Sequence, residues 1–173
     1  MTLQTLIVLA QFVAALGVIS SVAYLAIQVR QNAKITKAQF GHSLTSRLYE
    51  RYFLAAKDQE FSRFLAKNWS TDELEDYEYW RITLWINTCL VDIFDTYDQY
   101  KHGLVDITHL NMRMNLLKAG IMKTRMGRPT WEFWKVNRTP EFIEWFETEI
   151  YGGPLKDTDP EESAWQDLNM KRD

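Results

Sequence analysis

The first charged side chain in this 173-residue chain is Arg30. The preceding run, MTLQTLIVLAQFVAALGVISSVAYLAIQV, leaves few options. About 20 apolar residues cross the hydrocarbon core of a bilayer, and the window from Thr5 to Val29 meets that length with room for tilt. A cleaved signal peptide has a basic leading region and a shorter apolar core; here nothing basic precedes the run, the run is too long, and no cysteine follows it as in a lipoprotein signal. A buried core helix is the other alternative, and length favours a span. Residues 1–29 therefore read as an uncleaved transmembrane anchor.

Orientation follows from the flanking basic residues. Arg30, Lys34 and Lys37 lie just past the span, while only the terminal amine lies before it. The positive-inside rule puts the N-terminus outside and residues 30–173 in the cytoplasm. The single cysteine, Cys89, suits a reducing compartment and forms no intramolecular disulfide. The Asn-x-Ser/Thr triplets at Asn68 and Asn137 then never meet glycosylation machinery. Within the span, Ala10, Ala14, Gly17 and Ser21 share a narrow arc of the helix, with Gln28 near it. Gly17 and Ser21 form a small-xxx-small pair that lets another helix backbone approach closely. These positions predict a helix–helix contact in the membrane, with a partner protein or a second copy.

Charge is segregated beyond the span. Residues 30–69 carry a net charge of +5, residues 70–110 of −7, residues 111–154 of +2 and the remaining tail of −3. Anionic headgroups attract Lys and Arg near the surface, and Arg30, Lys34 and Lys37 share one helical face, so the basic block reads as lipid-facing. A nucleic-acid domain is more often basic overall, and the net charge here is −3; no nucleic-acid partner is expected.

Few glycines and prolines favour helices over a turn-rich β fold. The span is predicted to continue as a basic juxtamembrane helix over residues 30–57, with Gly41 as a weak point and an apolar stripe of Leu44, Leu48 and Tyr52 flanked by Tyr49 and Phe53. Residues 58–154 follow as a helical cytoplasmic domain. Asp58 caps a short helix with Phe61, Phe64 and Leu65. Ser70 and Glu73 have capping-box spacing and predict a long helix from Thr71 to about His102, with the stripe Tyr79, Ile82, Ile86, Leu90, Ile93, Tyr97 and Tyr100. Gly103 stops it. Asp106 caps the next helix (Ile107, Leu110, Met114, Leu117, Ile121). Thr130 caps a short one with Trp131 and Trp134. Thr139-Pro140-Glu141 starts the last, with Phe142, Trp145, Phe146 and Ile150, and Gly152-Gly153-Pro154 ends it. Residues 155–173 read as an acidic, mobile tail. The fold class is all-α: one transmembrane helix continuing into a bundle of about four to five helices.

No phosphate-binding glycine loop, nucleophile elbow, His-Glu-x-x-His or Cys-x-x-Cys occurs, and no cofactor is implied. The nearest approach to a metal set is Asp95, Asp98 and His102 on one side of the long helix, with His109 across the turn. Di-metal bundles draw such ligands from several helices, whereas a solvated acidic face with a histidine at the helix C-terminus explains the same residues. His42 reads as a surface residue and Cys89 as a buried structural thiol. Trp131, Trp134 and Trp145 have the spacing of core residues and, if exposed, would form a docking patch. Trp165 in the tail has no periodic neighbours.

Tyr24, Leu25, Ala26, Gln28, Arg30, Gln31 and Asn32, in VAYLAIQVRQNAK, make the chain resemble a functionally uncharacterised family of small bacterial single-span inner-membrane proteins whose span closes in Tyr-Leu-Ala-x-Gln-x-Arg-Gln-Asn. The likeness extends to FDTYDQYKHGLVD, with Asp95 in place of the family's Glu, and into the Trp-containing C-terminal helices. The resemblance implies a bacterial inner-membrane protein with a helical cytoplasmic domain, and no activity. Together these features lead to a non-catalytic interaction module, an accessory or scaffolding subunit of a membrane complex. The alternatives are a membrane-tethered sensor with a small apolar ligand between its aromatic helices and, remotely, a metal-dependent enzyme.

Overall fold

A computed structural model describes residues 2–69 and 73–155, and among the described residues the chain is all helical. Helix α1 spans Leu3–Lys57, α2 Gln59–Leu65, α3 Asp76–Lys101, α4 Ile107–Lys118, α5 Gly127–Lys135 and α6 Pro140–Tyr151, with a 3₁₀ turn at Ile121–Lys123 between α4 and α5. Residues 156–173, expected as a tail and including Trp165, lie outside the described residues.

Helix α1 is one unbroken rod of 55 residues, about 80 Å at 1.5 Å per residue. No proline interrupts it, and Gly41 does not break it. Every residue from Thr2 to Gln39 is exposed, so nothing in the protein covers the apolar part. That part is long and apolar enough to cross a membrane. Three of its polar side chains, those of Ser20, Ser21 and Gln28, find partners within the helix. The hydroxyls of Ser20 and Ser21 donate to the carbonyls of Leu16 and Gly17 at 2.8 Å, and Gln28 Nε2 donates to the Tyr24 hydroxyl at 2.8 Å.

The far end of α1 docks on the bundle through Leu44, Leu48 and Ala55. Tyr52, Tyr49 and Phe53, expected in that stripe, are instead exposed. Arg51 and Ala55 take the inward positions: Arg51 meets the carboxylate of Asp92 on α3, and Ala55 lies beside α2, its carbonyl accepting from Ser62 Oγ at 2.7 Å.

Helix α3 is the centre of the bundle. Ile82, Ile86, Leu90, Ile93 and Tyr97 recur at helical spacing and are buried, against Leu110, Met114 and Leu117 of α4, Trp131 of α5 and Phe142 and Phe146 of α6. The caps act as sequence spacing predicts at three places. Asp58 Oδ1 accepts from Phe61 N at 2.9 Å, Asp106 Oδ1 from Thr108 N at 2.8 Å, and Thr139 Oγ1 from Phe142 N at 3.3 Å. Gly152 ends α6 at φ 81°, in the left-handed region.

Two helix starts differ from expectation. α3 begins at Asp76, not Thr71; Ser70, Thr71 and Asp72 lie outside the described residues. Leu74 packs against the core in an extended segment, and the cap falls at Glu75, whose N–H donates to Glu78 Oε2 at 3.1 Å. α5 begins at Gly127, not after Thr130. Pro129 falls in the first turn, where the missing N–H has no intrahelical partner to lose. Thr130 lies inside the helix, its hydroxyl donating to Met126 O at 2.6 Å.

The early start of α5 depends on Gly127. A Cβ there would sit 2.4 Å from the Met122 carbonyl oxygen, which is backbone and cannot swing away. Gly127→Ala is expected to destabilise the bundle by about 1–3 kcal/mol, read as a lower midpoint in chemical denaturation; a wild-type midpoint would show that the turn yields freely.

Candidate functional site

Arg47 and Arg51 stand one turn apart on α1, and Asp92 and Asp95 three residues apart on α3. The basic segment after the apolar run thus meets the acidic helix directly. Asp92 is 5% exposed. Its Oδ2 accepts from Arg113 Nε of α4 at 2.8 Å and lies 2.8 Å from Arg51 Nη2. Arg113 also donates to His109 O at 3.0 Å and, across to α1, to Leu44 O at 2.7 Å. One guanidinium therefore ties three helices together. Arg47 is ion-paired with Asp95 and stands 4.0 Å from Asp92 Oδ1, beyond hydrogen-bond range. That oxygen is buried and accepts no hydrogen bond.

The neighbouring groups are tuned by the same cluster. Burial pushes the Cys89 thiol up to about 11; Arg51 opposes that and Asp92 adds to it. Cys89 is thus a protonated, buried thiol at neutral pH, as expected of a structural cysteine. Burial raises Asp95, but the Arg47 and Gln99 hydrogen bonds more than offset this and its carboxyl stays below the usual range.

Asp95, Asp98 and His102, the nearest approach to a metal set in the sequence, do not converge. Asp95 is held by Arg47 and by Gln99 Nε2 at 3.0 Å. His102 Nδ1 turns to the backbone oxygen of Asp98 at 2.6 Å. His109 packs on the other side of the loop, against Gly41 of α1. Among the described residues, no three His, Cys, Asp or Glu side chains come close enough to share an ion.

The three tryptophans are placed by burial. Trp131 is 0% exposed, its ring 4.2 Å from that of Phe146 and its Nε1 donating to Glu147 Oε1 at 3.0 Å. It is a core residue and cannot dock a partner, because the α5–α6 contact closes over it. Trp134 and Trp145 are half-buried, against Phe94 and Tyr97 respectively. The exposed aromatics past residue 39 are others: Tyr49 at 67%, Phe133 at 59%, Phe53 at 51%, and Tyr52, Tyr77, Trp80 and Tyr100.

Glu147 is a second buried carboxylate. Burial raises it, but Lys135, the Trp131 N–H and the Leu155 N–H together hold it below its ordinary 4.5. A carboxyl with a depressed folded pKa adds stability above its unfolded pKa, which is lost as pH falls through the folded value. The melting temperature is therefore expected to fall below about pH 4.5, and Glu147→Gln should flatten that acid limb in melts followed by circular dichroism. Parallel acid limbs in the two proteins would remove Glu147 from the explanation.

Two clefts flank the docked half of α1. One, of about 520 Å³, lies between α1, α2 and α3, with Leu54, Phe61, Trp85 and Val91 as walls and Arg51 and Asp92 inside. The other, of about 630 Å³, lies nearer the span, beside Lys37, His42, Asp106 and His109. Arg30, Lys34 and Lys37 are exposed, as are Ala10, Ala14, Gly17 and Ser21, and a Cβ on Gly17 would meet nothing within 4 Å. No protein-family model matches the chain, and neither does any curated protein or solved structure.

The sequence pattern missed the Asp92–Arg113–Arg51 cluster. Its signal was present, however: opposite charges at helical spacing on two segments of opposite net charge, with Asp92 at the edge of an apolar stripe.

Proposed function

We propose that the chain is a membrane-anchored, non-catalytic interaction module of the bacterial inner membrane. Its N-terminus lies outside, residues 30–173 lie in the cytoplasm, and it serves as an accessory subunit that binds a transmembrane helix of a partner through the small-residue face of its span. The observation that supports this is the side of α1 on which the bundle sits. At about 100° per residue, Leu44, Leu48 and Ala55 lie about 160–200° around the rod from Ala10. The arc of Ala10, Ala14, Gly17 and Ser21 therefore faces away from the bundle. Tyr49 and Phe53, stacked with ring centroids 5.9 Å apart, lie within about 60° of that arc and are exposed. One face of α1 is thus unobstructed along its whole length, small in the span and aromatic beyond it. Arg30, Lys34 and Lys37 fall on the bundle side, where they meet headgroups without blocking that face.

Gly17→Leu places a bulky side chain on the arc, and Ala15→Leu places one about 160° away. On a native gel in mild detergent, Gly17→Leu should run as a smaller species and Ala15→Leu as wild type. Unchanged migration of Gly17→Leu would count against assembly through this face.

A further inference from the structure

Apolar surface lies exposed along the seam between α3 and α5. Leu84 on α3 is 62% exposed, Phe133 on α5 59% and Trp80 on α3 47%. Phe133 packs edge-on against Trp134 with ring centroids 5.6 Å apart, and Trp134 Nε1 donates to Asn87 Oδ1 of α3. Leu84 and Trp80 lie one and two turns before Asn87 on the same side of α3, so the three exposed side chains line one patch. We propose that residues 156–173 fold back on this patch, in place of the mobile tail that composition suggests. Trp165 and Leu168 pack against Leu84 and Phe133, and the acidic stretch 157–167 lies beside the cations that precede and open α5.

The chain passes beyond Leu155 right beside α5. Leu155 packs against the core and its N–H donates to Glu147 Oε2 at 2.9 Å. The same carboxylate accepts from Trp131 and pairs with Lys135, both on α5. Trp165 follows ten residues later, about 15 Å as helix and at most about 36 Å extended. That is enough to cross α5, a helix about 10–12 Å wide.

Charge favours the same side. Residues 118–128 carry Lys118, Lys123, Arg125 and Arg128 and no acid, whereas residues 157–167 carry five acids and no base. Lys118 pairs with Glu149 near the end of α6, and Arg125 stands over the Tyr79 ring, 5.7 Å from its centroid. The basic stretch therefore runs from the end of α6 to the residue beside Trp80. The segment also carries its own helix signal: Asp159-Pro160-Glu161 repeats the spacing of Thr139-Pro140-Glu141, which starts α6. A helix begun at Pro160 brings Ala164, Trp165 and Leu168 within about 100° of one another. A bilayer cannot cover the patch instead. Asp95 pairs with Arg47 and Asp92 with Arg51, so α3 runs back toward the apolar run, and Leu84 lies about 40 Å beyond Val29.

Hydrogen exchange read by mass spectrometry tests this on the full chain in nanodiscs, at one copy per disc. Amides of residues 160–170 should exchange about tenfold or more slower than those of an unstructured chain. Trp165→Ala should return them to the unstructured rate. So should Leu84→Asp and Phe133→Asp, each at an exposed position, while residues 90–97 of α3 keep their protection. The proposal is overturned by any of three results: exchange of 160–170 at the unstructured rate in the wild type; protection that survives Leu84→Asp or Phe133→Asp, as for a segment docked elsewhere; or protection that appears only with two copies per disc, as for a segment held by a second copy. The contact does not depend on assembly through the span. Gly17→Leu should leave the protection intact and Trp165→Ala should leave native-gel migration intact, so the two ideas fail separately.

Discussion

Asp92→Ala is expected to cost the bundle about 3–5 kcal/mol, a large part of the stability of a domain this size. The reason is what remains behind. Arg113 is 2% exposed in its side chain and Arg51 is 11% exposed, so two guanidiniums would face each other with no buried counter-charge. Arg113 also donates to the Leu44 carbonyl, and losing its anchor loosens α1 from α3 and α4 together. The damage should be conditional. Arg113→Met in the Asp92→Ala background removes the more buried guanidinium and leaves only Arg51, 11% exposed, without its counter-charge, and buried pairs replaced whole by apolar groups are often tolerated. Urea denaturation followed by tryptophan fluorescence should therefore place the double variant above the Asp92 single variant. A coupling energy below about 0.5 kcal/mol would mean that the pair does not hold the helices.

Deleting residues 2–37 is expected to release the protein from membranes without unfolding it. Nothing from Thr2 to Gln39 is covered by the bundle, and the inward residues of α1 begin only at Leu44. The full chain should stay in the membrane pellet after alkaline carbonate extraction. The shortened chain should appear in the soluble fraction, with a melting temperature close to that of the parent. Loss of the folded signal on deletion would show that the apolar segment belongs to the core after all.

Much of this architecture was legible in the residues. Asp58, Asp106 and Thr139 each precede an apolar repeat by the spacing a cap needs, and each caps the helix it was expected to cap. The start of α3 was harder, because Asp72, Glu73, Glu75 and Asp76 offer overlapping caps and the choice was made by Leu74, which packs inward before the helix begins. The expected docking stripe of α1 mixed Tyr52 with Leu44 and Leu48. Hydrophobicity alone assigns an exposed tyrosine to the core, and only the carboxylate opposite explains why Arg51 turns inward instead. For the same reason the basic block divides. Arg30, Lys34 and Lys37 stay exposed, while Arg47 and Arg51 pair with α3. Trp131 has the same spacing whether it fills a core or greets a partner; Phe146 and Glu147, contributed by α6, decide between the two.

The proposed interaction face of α1 is tested most directly by native mass spectrometry of the wild-type chain released from nanodiscs formed straight from its own membranes. The expected result is one defined assembly, containing this chain with a stoichiometric membrane partner or a second copy, that falls apart in Gly17→Leu. A single chain that carries only lipid, in wild type and variant alike, would contradict the interaction-module function.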